Sequence, residues 1–405
     1  MKHLLRFSFA LLFVLFLTLP LAAQVSLGSV SLGATTTADV TLTLPTAATL
    51  GSIQVLTQGA PDLDYTLTSG GSCTPGNSYA ASSTCTVEAE FSPRYPGVRS
   101  GAVVLFDNSG NVLTTVYLEG VGSGPQTTFS AGSEQSLAKG LFLPYILVDQ
   151  NGNLYSAQAN GAEITEETPS ASGYTQSTFS LNGRVGPMAI DGAGNFYVLV
   201  SGTLFKETRS SNGYVESTIT AGLSQLYATD VAVDGSGNLY VATRPWTAGT
   251  PIVKETPDPG GYTSSVLFDG PVNCRTQGGS GLDSCTATLA VDLSGNVYVA
   301  LLSQVLELSP AAGGYSQKWI DAGLSLPADI AVDATGNLFI ADTGNNRIVK
   351  ETPWNGSYIQ TVVPSQPLSY PTQVAIDQTG NVNIEDSEPQ ASTHNLLIQQ
   401  LLKEN

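Results

Sequence analysis

The chain has 405 residues, of which 12% are charged, and it carries 33 acidic residues against 15 lysines and arginines. The resulting net charge of -18 opposes binding to nucleic acids and to anionic lipid surfaces, so neither is an expected partner. The 42 glycines, together with many β-branched and aromatic residues, favour an all-β protein over a disordered acidic chain.

The first 23 residues have the pattern of a secretory signal peptide. Lys2 and Arg6 precede an apolar run, which ends in small residues up to Ala23. The run is short for a membrane span, and no second stretch of about 18 apolar residues follows it. Residues 1–23 are therefore predicted to be removed, and the mature chain is expected to be soluble in the periplasm, at the cell surface or outside the cell.

Residues 24–123 are predicted to fold as an antiparallel β-sandwich. Seven segments alternate apolar and polar residues and are separated by turn signals, as in two-sheet sandwiches of about 100 residues. These segments are Val25–Leu32, Ala38–Leu44, Ser52–Gln58, Asp64–Ser69, Thr84–Phe91, Gly101–Asp107 and Thr114–Gly120. The glycine-rich stretch Gly120–Pro125 is the expected hinge to the next unit.

Part of this unit resembles a known family. Between Ser72 and Gly124 the chain combines a close cysteine pair, an F-S-P corner at Phe91–Pro93 and a closing L-E-G-x-G at Leu118–Gly122. These features resemble the immunoglobulin-like modules of the Hydin-like, choice-of-anchor type in bacterial surface proteins. The resemblance covers most of residues 25–123, and it implies an immunoglobulin-like fold and a role as a spacer or adhesive unit.

Four cysteines form two pairs that are close in sequence, Cys73 with Cys85 and Cys274 with Cys285. In an exported chain such pairs, each enclosing a short polar loop, predict disulfides. The alternative is a zinc site with four thiolates, but the C-x2-C spacing that such sites usually show is missing.

Residues 125–405 contain an internal repeat. Within this range the motif D-x-x-G-N occurs six times, beginning at Asp149, Asp191, Asp234, Asp292, Asp333 and Asp377. Apart from the last, each repeat has four predicted strands with a period of about 40 residues, which is typical of a β-propeller blade. One longer interval contains an insertion at Asp269–Cys285.

The last repeat ends after its third predicted strand. The missing strand has a counterpart at the start of the unit, where Pro125–Gly132 resembles the fourth strands of other repeats. A strand taken from this place would close the ring and leave no open sheet edge. The sequence therefore predicts a six-bladed β-propeller closed by an N-terminal strand.

The six D-x-x-G-N motifs are predicted to be hairpin turns and not calcium loops. Their glycines supply the positive φ that a tight turn needs, and their aspartates can accept hydrogen bonds from amides two or more residues ahead. A calcium loop needs several converging oxygens, whereas each motif offers one carboxylate. Aromatic residues in the following strand are expected to pack between blades: Tyr155, Tyr197, Tyr240, Tyr298 and Phe339.

The fifth repeat, Ile330–Glu351, is similar to the NHL repeat. Asp342, Asn345 and Arg347 complete the pattern D-x-x-G-N-[LVF]-[YF]-[VI]-A-D-x-x-N-x-R-[IV] in this repeat only. The resemblance extends partially over residues 126–402 and implies a six-bladed propeller, a fold that serves enzymes and binding modules alike. Arg347 is expected to pair with an acid of a neighbouring blade.

The predicted binding face of the propeller lies opposite the D-x-x-G-N turns. Loops that lead into the first strand of a blade, or from its second strand to its third, should meet there. The candidate ligand-binding residues in these loops are Asp230, Arg244, Trp246, Asp329, Asp342, Asn345, Arg347 and Glu385.

The sequence identifies no catalytic residue. Peptide-amidating lyases and streptogramin lyases, which look similar, rely on histidine, whereas the mature chain has only His394. A gluconolactonase-like site would instead hold Ca²⁺ or Mg²⁺ through carboxylates. Asp230, Asp329 and Glu385 are the candidate ligands for that metal.

The prediction is therefore an exported, non-enzymatic protein that needs no cofactor and binds a protein, peptide or glycan at the cell envelope. The alternative is a metal-dependent hydrolase, similar to lactonases or lyases, with Ca²⁺ or Mg²⁺ in the propeller channel.

Overall fold

The computed structural model describes residues 24–95, 97–123, 134–139, 145–157, 161–170, 173–181, 183, 185–211, 213–219, 227–244, 251–269, 287–301, 303–311, 313–320, 322–365, 367–377, 380–387 and 396–401. These residues form β-strands and one short 3-10 helix, Thr343–Asn345, so the described chain is all-β, as predicted. Within the described ranges no helix is long and apolar enough to cross a membrane. The predicted signal peptide, residues 1–23, lies outside these ranges.

The N-terminal unit consists of nine strands in two sheets. In chain order they are β1 (Gln24–Ser31), β2 (Thr36–Thr43), β3 (Ala48–Thr57), β4 (Ala60–Pro61), β5 (Tyr65–Gly71), β6 (Ser78–Tyr79), β7 (Thr84–Phe91), β8 (Gly97–Asp107) and β9 (Val112–Ser123). The larger sheet has the order β1-β9-β8-β3-β4, with β6 on β3, and the smaller sheet has the order β2-β7-β5. Each of the seven predicted segments overlaps one of these strands.

The pairing of β1 corrects the predicted antiparallel arrangement. β1 runs parallel to β9, with Gln24 opposite Tyr117 and Ser31 opposite Ser123. The other strand pairs of the unit are antiparallel. The alternation of one strand shows which face is buried but not the direction of its partner, so the sequence did not predict this pair.

The two sheets of the N-terminal unit share one hydrophobic core. Leu42, Val87 and Phe91 from the smaller sheet are buried with Val103 and Leu118 from the larger sheet. Because successive side chains of a strand point to opposite faces, the alternating sequence places every second residue in this core.

The predicted disulfide between Cys73 and Cys85 is present. Cys85 lies in β7 and Cys73 follows β5, so the bridge joins β7 to the segment that follows its neighbour in the smaller sheet. The second predicted pair, Cys274 and Cys285, lies outside the described residues.

The C-terminal part of the described chain begins with β10 (Glu134–Lys139) and forms six four-stranded antiparallel sheets, called sheets 1 to 6 below. Sheet 1 contains β11 (Tyr145–Val148), β12 (Leu154–Ala157), β13 (Glu163–Ser170) and β14 (Gly173–Ser180); sheet 2 contains β15 (Met188–Ile190), β16 (Phe196–Val200), β17 (Thr203–Ser210) and β18 (Gly213–Ile219); sheet 3 contains β19 (Tyr227–Val233), β20 (Leu239–Arg244), β21 (Ile252–Asp258) and β22 (Gly261–Phe268). Sheet 4 contains β23 (Thr288–Val291), β24 (Val297–Leu301), β25 (Gln304–Ala311) and β26 (Gly314–Ile320); sheet 5 contains β27 (Asp329–Val332), β28 (Leu338–Asp342), β29 (Arg347–Trp354) and β30 (Ser357–Val362); sheet 6 contains β31 (Pro371–Ile376), β32 (Val382–Ser387), β33 (Leu396–Leu401) and β10.

The first strand of each sheet lies nearest the centre. β11, β15, β19, β23, β27 and β31 contact one another in this order, and β31 also contacts β11. All six strands line one cavity. Sheets that surround a central axis through their first strands form a β-propeller, which is the architecture that the repeats predict.

Sheet 6 takes its outer strand from the beginning of the C-terminal part. β33 pairs with β10, with Glu134 opposite Leu401 and Lys139 opposite Leu397. The predicted position of this strand, Pro125–Gly132, lies outside the described residues, and it is wrong because the residues that pair with β33 are those of β10. Outer strands are mostly exposed here, so their sequences are weakly constrained and a short likeness did not identify the right segment.

Aromatic side chains pack between neighbouring sheets, as predicted. Tyr197 of sheet 2 is buried against Val231 and Val241 of sheet 3. Its hydroxyl also donates to Oδ2 of Asp191 over 3.1 Å, and the equivalent bond recurs in sheets 1, 3 and 4. The tyrosine therefore fastens the aspartate of the turn to the core. In sheet 6 the buried Asn383 takes the place of the aromatic residue.

The D-x-x-G-N motifs form the hydrogen bonds of the predicted turns. In all six, the aspartate accepts the backbone amide and the side-chain amide of the asparagine four residues later. In sheet 5, for example, Oδ1 of Asp333 accepts the amide of Asn337 over 3.0 Å, and Gly336 has a φ of 79°. The carboxylate thus holds its own loop together.

Replacing Asp333 with alanine is expected to lower the free energy of unfolding by about 2 kcal/mol, because the amides of Thr335 and Asn337 lose their common acceptor. Denaturant unfolding of the mature chain in the presence of a chelator measures this loss. Asp333→Asn, which keeps one acceptor oxygen, should lose about half as much. An alanine variant as stable as the unaltered chain would contradict the structural role of the carboxylate.

Candidate functional site

The first strands of the six sheets enclose a cavity of about 440 Å³. Most of its wall is formed by aliphatic residues. Gln58, in the turn between β3 and β4 of the N-terminal unit, also lines the cavity, and its carbonyl accepts the amide of Gly192 in the turn of sheet 2. Gln58 therefore marks the end of the cavity at which the D-x-x-G-N turns lie. The carboxyl groups in the described wall are those of Asp230 and Asp329.

Asp230 ties the first strand of sheet 3 to the first strand of sheet 4. Its Oδ1 accepts the amide of Val231 over 2.9 Å, and its Oδ2 accepts the amide of Leu289 in β23 over 2.8 Å. Burial raises the pKa of Asp230 to about 7, although the two amides favour the charged form and oppose this shift.

Asp329 makes the same connection between sheets 5 and 6. Its Oδ1 accepts the amide of Ile330 and its Oδ2 accepts the amide of Val374 in β31, each over 2.9 Å. Burial, and then the charge of Asp230, raise the pKa of Asp329 well above its usual range. This shift opposes the charged form of the carboxyl.

Glu385 lies beside the cavity in β32, opposite Gln373 of β31. The equivalent residue in the second strands of sheets 1, 3, 4 and 5 is alanine, so a carboxyl at this place is specific to sheet 6. Glu385 is only 2% exposed, and burial raises its pKa to about 8. The hydroxyl of Thr372 lies close enough to lower this pKa, yet among the described residues Oε2 of Glu385 has no hydrogen-bond partner of acceptable geometry.

The three residues that complete the NHL pattern bind one another. Oδ2 of the fully buried Asp342 accepts the side chains of Asn345 over 2.8 Å and Arg347 over 2.7 Å. Its Oδ1 accepts the amide of Ser325, which precedes β27. Arg347 thus pairs with an acid of its own sheet, and the prediction of a partner in a neighbouring sheet is wrong. The network fastens the loop before the first strand to the end of the second strand.

Two predicted ligand-binding residues have no described side chain. Arg244 is the last residue of β20, where its backbone pairs with Tyr227, and Trp246 lies outside the described residues. The structure therefore brings together Asp230, Asp329 and, through electrostatic interaction with Asp329, Glu385. Asp342, Asn345 and Arg347 form a separate cluster in sheet 5.

Sequence analysis missed four residues at the level of the two cavity aspartates. Asp230 and Asp329 each lie four residues before the aspartate of the following turn. The same position in the other sheets is occupied by residues that also line the cavity: Tyr145, Pro187, Thr288 and Gln373. Aligning the repeats on their turns would have found this ring.

No group of three histidine, cysteine, aspartate or glutamate residues in the described part of the chain is arranged to hold a metal ion. The carboxylate oxygens of Asp230 and Asp329 are instead engaged by amides of the first strands.

Comparison with protein families identifies one repeat. Residues 324–350 match the NHL repeat. This segment contains β27, β28 and the cluster around Asp342, and the match covers a small part of the chain. No curated protein matches the sequence.

Several solved structures are similar to this chain. A luciferin-regenerating enzyme has a TM-score of 0.48 and 15% identity, and the alignment covers 66% of this chain and 94% of that protein. A gluconolactonase from Xanthomonas campestris has a TM-score of 0.46 and 11% identity, with coverage of 65% and 87%. A streptogramin B lyase has a TM-score of 0.42 and 12% identity, with coverage of 74% and 90%.

Proposed function

We propose that this chain is an exported, non-enzymatic binding protein that presents the loop-bearing end of its propeller to a protein, peptide or glycan at the cell envelope. In this proposal the N-terminal unit is an immunoglobulin-like sandwich, and sheets 1 to 6 are the blades of a closed six-bladed ring spanning residues 125–405. The signal-like sequence of residues 1–23 and the disulfide between Cys73 and Cys85 support export, because disulfides persist in oxidising compartments.

Two contacts support the closed ring. β31 contacts β11 as well as β27, so the first strands of sheets 6 and 1 are neighbours. β10 pairs with β33, so a segment that precedes sheet 1 completes sheet 6. A ring fastened in this way has no free edge among its inner strands.

The observation that best supports a non-enzymatic function is the hydrogen bonding of the two cavity carboxylates. Asp230 and Asp329 each accept two backbone amides, one of them from the first strand of the next sheet. Both oxygens of each carboxylate therefore accept hydrogen bonds that hold the first strands together, and burial raises the pKa of both groups. A wall of aliphatic side chains with a few polar groups suits the recognition of an uncharged portion of a ligand.

The second candidate function is that of a metal-dependent hydrolase of the lactonase or lyase type. One observation favours it: the charges of Asp230 and Glu385 both raise the pKa of Asp329, so three acids from sheets 3, 5 and 6 interact electrostatically. A Ca²⁺ or Mg²⁺ ion among them would relieve this repulsion, and these two cations prefer carboxylate oxygens.

A thermal melt of the metal-stripped mature chain, titrated with Ca²⁺, Mg²⁺ and Mn²⁺, separates the two functions. We expect no specific shift, because the carboxylates serve the fold. A cation that binds only the folded state at a hundredfold excess over its dissociation constant would add about 2.7 kcal/mol to the free energy of unfolding.

Two variants show whether such a shift in melting temperature comes from the cavity carboxylates. Asp230→Ala removes a cavity carboxylate, and Asp333→Ala removes a carboxylate from a turn outside the cavity. A shift that disappears in the first variant and survives in the second would replace the binding function with the metal-dependent one. It would also justify a screen of lactone and ester substrates.

A further inference from the structure

The N-terminal unit makes direct hydrogen bonds to the turns of sheets 1 to 4. The amide of Gly59 donates to the carbonyl of Gly235 over 2.9 Å, and the amide of Gly192 donates to the carbonyl of Gln58 over 3.0 Å. Side-chain hydrogen bonds add to these backbone contacts. Gln24 accepts the hydroxyl of Ser294 in the turn of sheet 4 over 3.0 Å.

Arg99 and Tyr117 are the buried polar anchors of this interface. The guanidinium of Arg99 is held by Asp64 of its own unit and donates to the carbonyl of Gln150 in the turn of sheet 1. The hydroxyl of Tyr117 donates to Oδ2 of Asp234 in the turn of sheet 3 over 2.8 Å. Buried polar groups that are matched in this way fix one relative placement of two surfaces, because any other placement leaves them without partners.

Two D-x-x-G-N turns have a glycine as their second residue, which lets the backbone of the N-terminal unit approach closely. The second residue of D-x-x-G-N is Gly192 in sheet 2 and Gly235 in sheet 3, whereas it is Leu293 in sheet 4 and Ala334 in sheet 5. Neither glycine has a positive φ, so the turn itself does not require them.

The N-terminal unit requires both glycines. A Cβ on Gly235 would lie 2.9 Å from the carbonyl oxygen of Gly101, and a Cβ on Gly192 would collide with the carbonyl oxygen of Thr57. The absence of a side chain therefore permits the close approach of two backbones. Both glycines occur in turns whose backbone bonds to the β3–β4 turn.

We propose that the turn-bearing end of the propeller is a dedicated docking surface for the N-terminal unit, whose β3–β4 turn stops that end of the cavity with Gln58. This role goes beyond the proposed binding function and differs from that of a flexible spacer. Ligand exchange with the cavity then proceeds through the opposite end, where the loops of the predicted binding face lie.

Thiol labelling of the full mature chain tests whether the β3–β4 turn closes this end of the cavity. Gln58→Cys is compared with Ser52→Cys, which places a thiol at an exposed position of β3. We expect the thiol at position 58 to react at least about tenfold more slowly than the thiol at position 52. Labelling of position 58 requires the two units to separate locally. Equal rates would overturn the proposal, and this result depends on no further variant.

Substitution of the second turn residue tests the docking surface. In the Gln58→Cys background, Gly235→Leu should accelerate labelling at position 58 severalfold, whereas Ala334→Leu at the same position of sheet 5 should not. The turn tolerates leucine, as Leu293 of sheet 4 shows. Among the described residues the sheet 5 turn forms no hydrogen bond with the N-terminal unit. Equal labelling in both leucine variants would show that Gly235 is no part of a docking surface.

Discussion

Replacing Arg99 with alanine is expected to lower the free energy of unfolding by about 3–5 kcal/mol. Arg99 is 4% exposed and its partner Asp64 is 1% exposed, with 2.6 Å between guanidinium Nη2 and Oδ2 of the carboxylate. Loss of the guanidinium leaves a buried carboxylate without its counter-charge, and it also removes the donor to Gln150 in sheet 1. Desolvation of that unpaired charge accounts for most of the expected loss.

The partly exposed pair Lys318 and Glu307 provides a matched control. Its N–O distance is 3.3 Å, and the lysine side chain is 42% exposed. Lys318→Ala should therefore cost less than about 1 kcal/mol. Urea unfolding of both variants gives the comparison, and Asp64→Asn combined with Arg99→Met should recover part of the loss because no buried charge remains. Similar small losses for Arg99→Ala and Lys318→Ala would show that the buried pair is not an anchor.

The repeats of the C-terminal part predicted much of the fold because several constraints coincide in them. A D-x-x-G-N turn needs an acceptor, a glycine with positive φ and an asparagine donor at fixed spacing, and each turn lies between two apolar strands. Seven of the nine strands β1 to β9 were also predictable, because alternate residues of these strands enter the shared core, whereas the two-residue strands β4 and β6 were missed. The outer strand β10 was placed wrongly because few of the residues in outer strands are buried.

The candidate site was predictable only in part. Asp230 and Asp329 stand out because two of the six repeats carry an acid four residues before the aspartate of the turn, and both line the cavity. The electrostatic interaction of Glu385 with Asp329 could not be inferred from sequence spacing, since the two residues lie in different sheets. The sequence also could not predict that Gln58 lines the cavity, because this residue belongs to the N-terminal unit.

One signal for the interface was present in the sequence and was not used. Gly192 and Gly235 follow an aspartate directly, at a turn position where Leu293 and Ala334 are accepted. A glycine that the turn geometry does not require indicates that something approaches its backbone. Which segment approaches could not be inferred, because the β3–β4 turn carries no distinctive motif.

The stability of the protein is expected to fall as the pH rises from about 4 to about 8. Burial raises the pKa of Asp230 to about 7 and the pKa of Glu385 to about 8, and it also raises the pKa of Asp329. In the unfolded chain these carboxyls titrate near pH 4. The folded state therefore binds more protons than the unfolded state within this window, so the free energy of unfolding falls as the pH rises until the folded carboxyls also ionise.

Glu385→Gln isolates one of these groups because Oε2 of Glu385 has no hydrogen-bond partner of acceptable geometry among the described residues. The amide is always neutral, so the variant should match the unaltered chain at pH 4 and exceed it at pH 8.5 by on the order of 3 kcal/mol. Glu216→Gln, at an exposed position of β18, should change little at either pH. Denaturant unfolding at both values supplies the measurement. A Glu385→Gln variant that is less stable than the unaltered chain at pH 8.5 would show that the ionised carboxylate has a partner that stabilises it, as a bound cation would.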